Sequence, residues 1–121
     1  MKNSTMLALA LTTGFFANSA FSAELVCRVN SLNGQSHNSG TSNCWAMDFS
    51  FRNSSSGVFY LKDVTKPIER VQWNNNRSCS GTQCAVTVRS FQYKSMTAHI
   101  FYKDGTSELT NRAVMFYENG M

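Results

Sequence analysis

Very little in this sequence carries recognisable chemistry. Its 121 residues include two histidines, His37 and His99, and seven carboxylates with no paired spacing. It contains no Gly-rich phosphate loop, HExxH or GxSxG. Hydrolysis needs a positioned nucleophile, base and orienter, or two opposed carboxylates, and the sequence offers neither set. We therefore expect no enzyme, no cofactor and no metal. His99 is the one candidate general base, and a surface histidine is its plainer reading. No apolar run reaches the roughly 20 residues that span a bilayer, so no membrane insertion is expected. No stretch keeps a 3.6-residue period, so essentially no helix is expected. The single proline, Pro67, is placed in a connection, because proline disrupts a central strand. Charge is sparse and interspersed, with eleven Lys or Arg against seven Asp or Glu. That pattern fits a solvated surface better than a nucleic-acid footprint.

What is present begins with a leader. Met1-Lys2 gives a short positive start, Met6 to Phe16 is mostly apolar, and Ala20-Phe21-Ser22 has the small-x-small form. Residues 1–22 read as a bacterial-type signal peptide, with cleavage after Ser22 or after Ala23. Residues 23–121 then form one small domain, periplasmic or secreted. A core this size gains from staples. Cys27, Cys44, Cys79 and Cys84 supply them, since an even count in an exported chain reads as two disulfides. Of three connectivities we favour Cys27–Cys44, closing a polar loop, and Cys79–Cys84, clamping Ser80 to Gln83. The first removes on the order of 3 kcal/mol of unfolded-state entropy. Zinc would need a second close cysteine pair beside Cys79-x4-Cys84.

The apolar pattern alternates in short runs. Leu25, Cys27 and Val29 share one face of a first strand. Asn30 to Asn43 is almost wholly polar and reads as loop. Trp45, Met47, Phe49 and Phe51 alternate with Asp48, Ser50 and Arg52, which reads as a half-buried strand with the aromatics inward. On that reading Phe49→Ala costs about 3–5 kcal/mol. Asn53 to Gly57 is a turn, Val58 to Lys62 a strand, and Ile68 to Trp73 another, with Val71 and Trp73 on one face. Cys84, Val86 and Val88 face inward in the next strand, and Gln92 to Ser95 is a connection.

The run from Met96 to Tyr117 organises the rest. Asp104-Gly105 lies between two β-rich segments and signals a two-residue type I′ hairpin. Counting outward sets Ile100 opposite Leu109 and Met96 opposite Ala113. Met96, Ala98, Ile100, Tyr102, Leu109, Ala113, Met115 and Tyr117 then share the apolar face. About seven strands in a chain this short predict an all-β fold: a small antiparallel β-sandwich, or alternatively a small β-barrel.

Four runs carry a resemblance: Ile68 to Asn74, Cys84 to Arg89, Thr97 to Gly105 and Arg112 to Tyr117. Together they resemble the second half of bacterial immunoglobulin-like and PKD-like modules, over roughly residues 63–118. The shared features are a Trp-bearing middle strand and a final hairpin with a Gly turn. The close Cys79/Cys84 pair departs from that pattern, and residues 24–62 match no family. The resemblance implies an immunoglobulin-like binding module.

Aromatic residues near strand ends are the remaining signal. Trp73, Arg77, Tyr93, Lys94 and Tyr102 are the candidate binding residues, with Tyr60, Arg70 and Arg89 beside them, because Tyr, Trp and Arg are enriched at interface hot spots. Three functions stay open. The first is an exported, non-catalytic, monomeric module recognising a protein or glycan. The second is an inhibitor or immunity protein of a hydrolase, acting through the Cys79–Cys84 loop and Arg77. The third is a toxin receptor-binding subunit, which would be oligomeric.

Overall fold

The computed structural model describes residues 22–32, 34–74 and 78–121. The expected leader, residues 1–22 apart from Ser22, and Arg77 lie outside the described residues. Among these the chain is all-β with no helix. The strands are β1 (Glu24–Val29), β2 (Gln35–His37), β3 (Asn43–Met47), β4 (Ser54–Lys62), β5 (Ile68–Trp73), β6 (Gln83–Arg89), β7 (Gln92–Met96), β8 (Ala98–Tyr102), β9 (Ser107–Leu109) and β10 (Ala113–Glu118). Three sheets form, ordered β1-β4-β6, β2-β3-β10-β7 and β5-β8-β9. The first two pack face to face as a small sandwich, with β1 against β3 and β10. Phe59, Cys84 and Val88 meet Ala46, Met115 and Tyr117 in one core cluster. Both expected disulfides are present, with Cα–Cα distances of 5.8 Å for Cys27–Cys44 and 5.3 Å for Cys79–Cys84. Two such bridges belong with an oxidising compartment.

Ten strands replace the expected seven. The polar loop contributes β2, whose backbone pairs with β3 without any apolar burial of its own. Gln92 to Ser95 is edge strand β7, not a connection. Ser54 to Gly57 is not a turn. It opens β4, pairing with β6 along its length. Gly57 there faces Met115, and a Cβ would sit 2.6 Å from the Met115 sulfur. One pair breaks the antiparallel expectation: β10 lies parallel to β3. No hairpin joins those two strands, so no turn constrains their relative sense.

The central hairpin forms in a shifted register. Of the residues at its tip, only Gly105 has positive φ, at 89°. A type I′ turn needs two such residues, so the loop has three, Lys103 to Gly105, closed by Gly105 N–H to Tyr102 O at 3.1 Å and Tyr102 N–H to Thr106 O at 2.9 Å. His99 now faces Leu109, and Leu109 points to solvent, 73% exposed, while Glu108 takes the inner position. Farther down, Met96 does pair with Ala113. Between the Thr110 N–H to Ala98 O bond and the Met96–Ala113 pair, Asn111 and Arg112 on one arm correspond to Thr97 alone on the other, one residue more than its partner supplies. This bulge restores the expected phase. It also frees the Asn111 amide, which accepts from Leu25 N–H at 2.9 Å and donates to Leu25 O at 3.0 Å.

The larger correction concerns residues 44–52. The strand ends at Met47, and its faces are the reverse of the reading above. Cys44, Ala46 and Asp48 are buried, Trp45 and Met47 are half-buried, and Phe49 and Phe51 are 72% and 60% exposed. Cys27 faces the core between Leu25 and Val29, and the disulfide pulls Cys44 to the same side. With side chains alternating, Trp45 must then point outward.

Candidate functional site

The candidate binding residues separate into interior and surface. Trp73 is 4% exposed, and its indole N–H donates to Gly81 O at 2.8 Å, pinning the small disulfide loop. Tyr102 is 5% exposed and donates to the Glu108 carboxylate. Burial, then that carboxylate, pushes its phenol well above the ordinary range. Both side chains are therefore buried in the fold and not displayed on its surface. Tyr93 and Lys94 are exposed on edge strand β7, on opposite faces of it. His99 Nε2 lies 3.2 Å from Ser107 Oγ, and its ring stacks on Phe101 at 4.2 Å. Arg70 lies over the other partner of that stack, 3.8 Å from the Phe101 centroid.

Tyr93 belongs to a row that spans a whole sheet. His37 pairs with Trp45, Trp45 with Phe116, and Phe116 with Tyr93. These four rings occupy one rung on the outward face of β2-β3-β10-β7. His37 stacks on Trp45 with centroids 4.0 Å apart and planes 15° apart, and Tyr93 tilts against Phe116 at 4.8 Å.

The most unusual surface was invisible to periodicity. It is the end of the sandwich built from residues 48–52, the Ser90-Phe91 turn and residues 117–121. Leu32, Phe49, Phe51, Phe91 and Met121 are all exposed large apolar residues. Three of their backbones are tied to the segment Tyr117 to Asn119. Phe51 N–H donates to Asn119 O at 3.1 Å, Phe91 N–H to Tyr117 O at 2.7 Å, and Met121 N–H to the Asn119 side chain at 3.1 Å. Gly120 adopts φ of 89° directly against Phe49, where a Cβ would come within 2.5 Å of the ring.

Asp48 braces this pole from beneath. Its side chain is fully buried and accepts five hydrogen bonds. Leu32 N–H (3.0 Å) and Arg52 Nη2 (3.2 Å) reach Oδ2, while Ser50 N–H (3.1 Å), Ser50 Oγ (2.7 Å) and Tyr117 Oη (2.8 Å) reach Oδ1. Burial pushes the carboxyl up, and the donors from Leu32, Ser50 and Tyr117 more than offset it, so it stays well below the usual carboxylate range. A carboxylate so enclosed holds a loop; it does not reach a substrate. Above it the backbone is strained. Phe51 and Phe91 have φ of 59° and 63°, a region that bulky side chains avoid at a cost of about 1–3 kcal/mol each.

No protein-family model, characterised protein or solved structure matches this chain.

Proposed function

We propose that the protein is an exported, non-catalytic binding module that recognises a protein partner through the apolar pole around Phe49, Phe51 and Phe91. The observation that carries this reading is the buried Asp48 holding two phenylalanines out in water. A buried ion costs several kcal/mol in desolvation, bulky residues at positive φ add strain, and exposed rings gain nothing from the fold. Three costs converge on one surface, and partner binding is what they would serve. Clustered exposed apolar groups of this kind mark interaction surfaces, and rigid aromatics lose little entropy on docking. Export, to the periplasm or beyond, is supported by the two disulfides and the leader-like start. An immunoglobulin-like or PKD-like origin is part of the proposal, supported by the buried Trp73 on β5 and the Gly105 turn.

The test is affinity capture from the native periplasm or medium with wild type and with the Phe49→Ser/Phe51→Ser double variant as baits. A stoichiometric protein recovered by wild type and lost with the variant supports the reading, and if that protein is a hydrolase the module is an inhibitor. Equal recovery by both baits would move recognition elsewhere on the molecule.

A further inference from the structure

We infer that the outward face of β2-β3-β10-β7 is a second recognition site, for a neutral, linear polysaccharide. The rung His37–Trp45–Phe116–Tyr93 is one side chain wide and four strands long. At about 4.8 Å between strands it extends roughly 14 Å. Its rings lie on a sheet, so their spacing is fixed by backbone pairing and not by loop conformation. His37 and Trp45 turn one face to each other, and the ring surface left open along the row, most of it on Tyr93, suits the C–H faces of pyranose rings, which are apolar, flat and repeated along a chain. Sugar hydroxyls project from the ring edges and need polar neighbours on both flanks. The register supplies them. Asn43, Val114 and Ser95 form the next rung on one side, and Gln35, Met47 and Glu118 lie on the other. A depression of about 180 Å³, lined by Asn43, Trp45, Tyr93, Val114 and Phe116 among others, opens along the strip.

Charge and area select this occupant. None of the outward-facing positions of the four strands is Lys or Arg, although the whole chain is net basic. A nucleic acid or an acidic polysaccharide would meet no cation here, and binding of either is dominated by such contacts. A protein partner or a second copy needs about 800 Å² on each side. Four aromatic or imidazole side chains, three of them half-buried, leave far less than that. A narrow strip with a polar margin fits a single extended chain instead. This surface adjoins the apolar pole at Glu118 but shares none of its exposed apolar side chains, so the inference does not rest on the protein-binding reading.

The two tryptophans make the experiment specific. Trp73 is buried, while Trp45 lies on the strip, so an emission change on binding reports Trp45. Titration with soluble xylan, mannan and cello- and chito-oligosaccharides, and pull-down on cellulose and chitin, give the readouts, with alginate and heparin as charged counterparts. At least one neutral polymer should be retained and shift the emission. Tyr93→Ala, at a 74% exposed position, should weaken that binding at least tenfold while keeping the melting temperature. Trp45→Ala should abolish the emission change, and Phe49→Ser should leave retention unaltered. The inference is overturned by failure of every neutral polymer, by tighter binding of the charged pair, or by unchanged retention in folded Tyr93→Ala.

Discussion

Two aspartates organise opposite fates. Asp48 and Asp104 each sit in a loop, each accept hydrogen bonds from a residue two positions on, and each pair with a cation. Asp104 Oδ1 accepts from Thr106 N–H at 2.9 Å and Thr106 Oγ1 at 2.5 Å, and Oδ2 meets Lys66 Nζ at 3.1 Å. Those contacts, the Thr106 hydroxyl first, lower its pKa to about 2. The local chemistry is nearly the same at both sites; the surroundings are not. The Asp48 side chain has no exposure, whereas that of Asp104 is 50% exposed. Water can replace every partner of Asp104 and none of Asp48. The same motif is therefore a structural keystone at one end and a turn ornament at the other.

The largest expected effect tests the buried member. Asp48→Ala leaves five donors facing a cavity and should cost about 3–5 kcal/mol, the range for breaking a buried pair. That is a large part of the roughly 5–15 kcal/mol available, so a denaturant midpoint near wild type would show the brace to be dispensable. Acid gives the milder version. A carboxyl with a depressed folded pKa contributes stability above its unfolded value, about 3.9, and loses it as pH falls toward the folded one. Wild-type melting temperature should drop steeply below pH 4. Asp48→Asn should start lower and fall less over that window; an equally steep fall would place the acid sensitivity elsewhere.

Gly105→Val comes next. A Cβ there meets nothing within 4 Å, so the cost is purely conformational, roughly 1–2 kcal/mol for a left-handed residue and somewhat more for a branched one. Thermal denaturation of Gly105→Val beside Gly105→Ala checks this; identical melting to wild type would mean the turn rearranges freely. Phe51→Gly has the opposite sign. It relieves positive φ at an exposed position, offset by added unfolded-state entropy. A net gain of up to about 1 kcal/mol is expected, with partner capture lost. A large destabilisation would show that the ring packs and is not merely displayed.

These contrasts mark what was readable. Leu25, Cys27 and Val29 on β1, Cys84 and Val88 on β6, and the hairpin core apart from Leu109 follow from alternation, whereas the equally buried Val26 does not; the cysteine pairing follows from spacing. An inward Trp45 follows only if the 44–52 run is taken by itself. Cys44 is bridged to inward-facing Cys27, and alternation then forbids an inward Trp45. The hydrophobic pattern of Trp45, Met47, Phe49 and Phe51 was consistent in phase but pointed to the wrong side. The signal that could have found the pole is the lone Asp48 landing on the inner face, with Ser50 and Arg52 spaced to satisfy it. Tyr117 could not be known as a partner, because its contact with Asp48 crosses 69 residues. Nor could the aromatic row: it draws one residue from each of four strands, and one pair runs parallel.

The smallest expected effect closes the comparison of the two carboxylates. Asp104→Asn keeps an oxygen to accept from Thr106 and loses mainly the attraction of Lys66, an exposed pair that water and salt screen. Lys66 also holds Thr106 Oγ1 at 2.7 Å and lies 4.4 Å over the Tyr102 ring, so its side chain stays in place without the charge. Melting temperature at pH 7 should therefore match wild type closely, and below pH 4 the variant should fall only slightly less than wild type, since the lowered Asp104 pKa acts with the same sign but at an exposed group, in contrast to the larger change in Asp48→Asn. Salt supplies the control: 1 M NaCl screens an exposed pair almost completely, so the small difference between wild type and Asp104→Asn should vanish there, while that for Asp48→Asn persists. If Asp104→Asn instead lowers the melting temperature as much as Asp48→Asn does, solvent exposure is not what separates the two sites. The hairpin tip would then have to be read as a second brace.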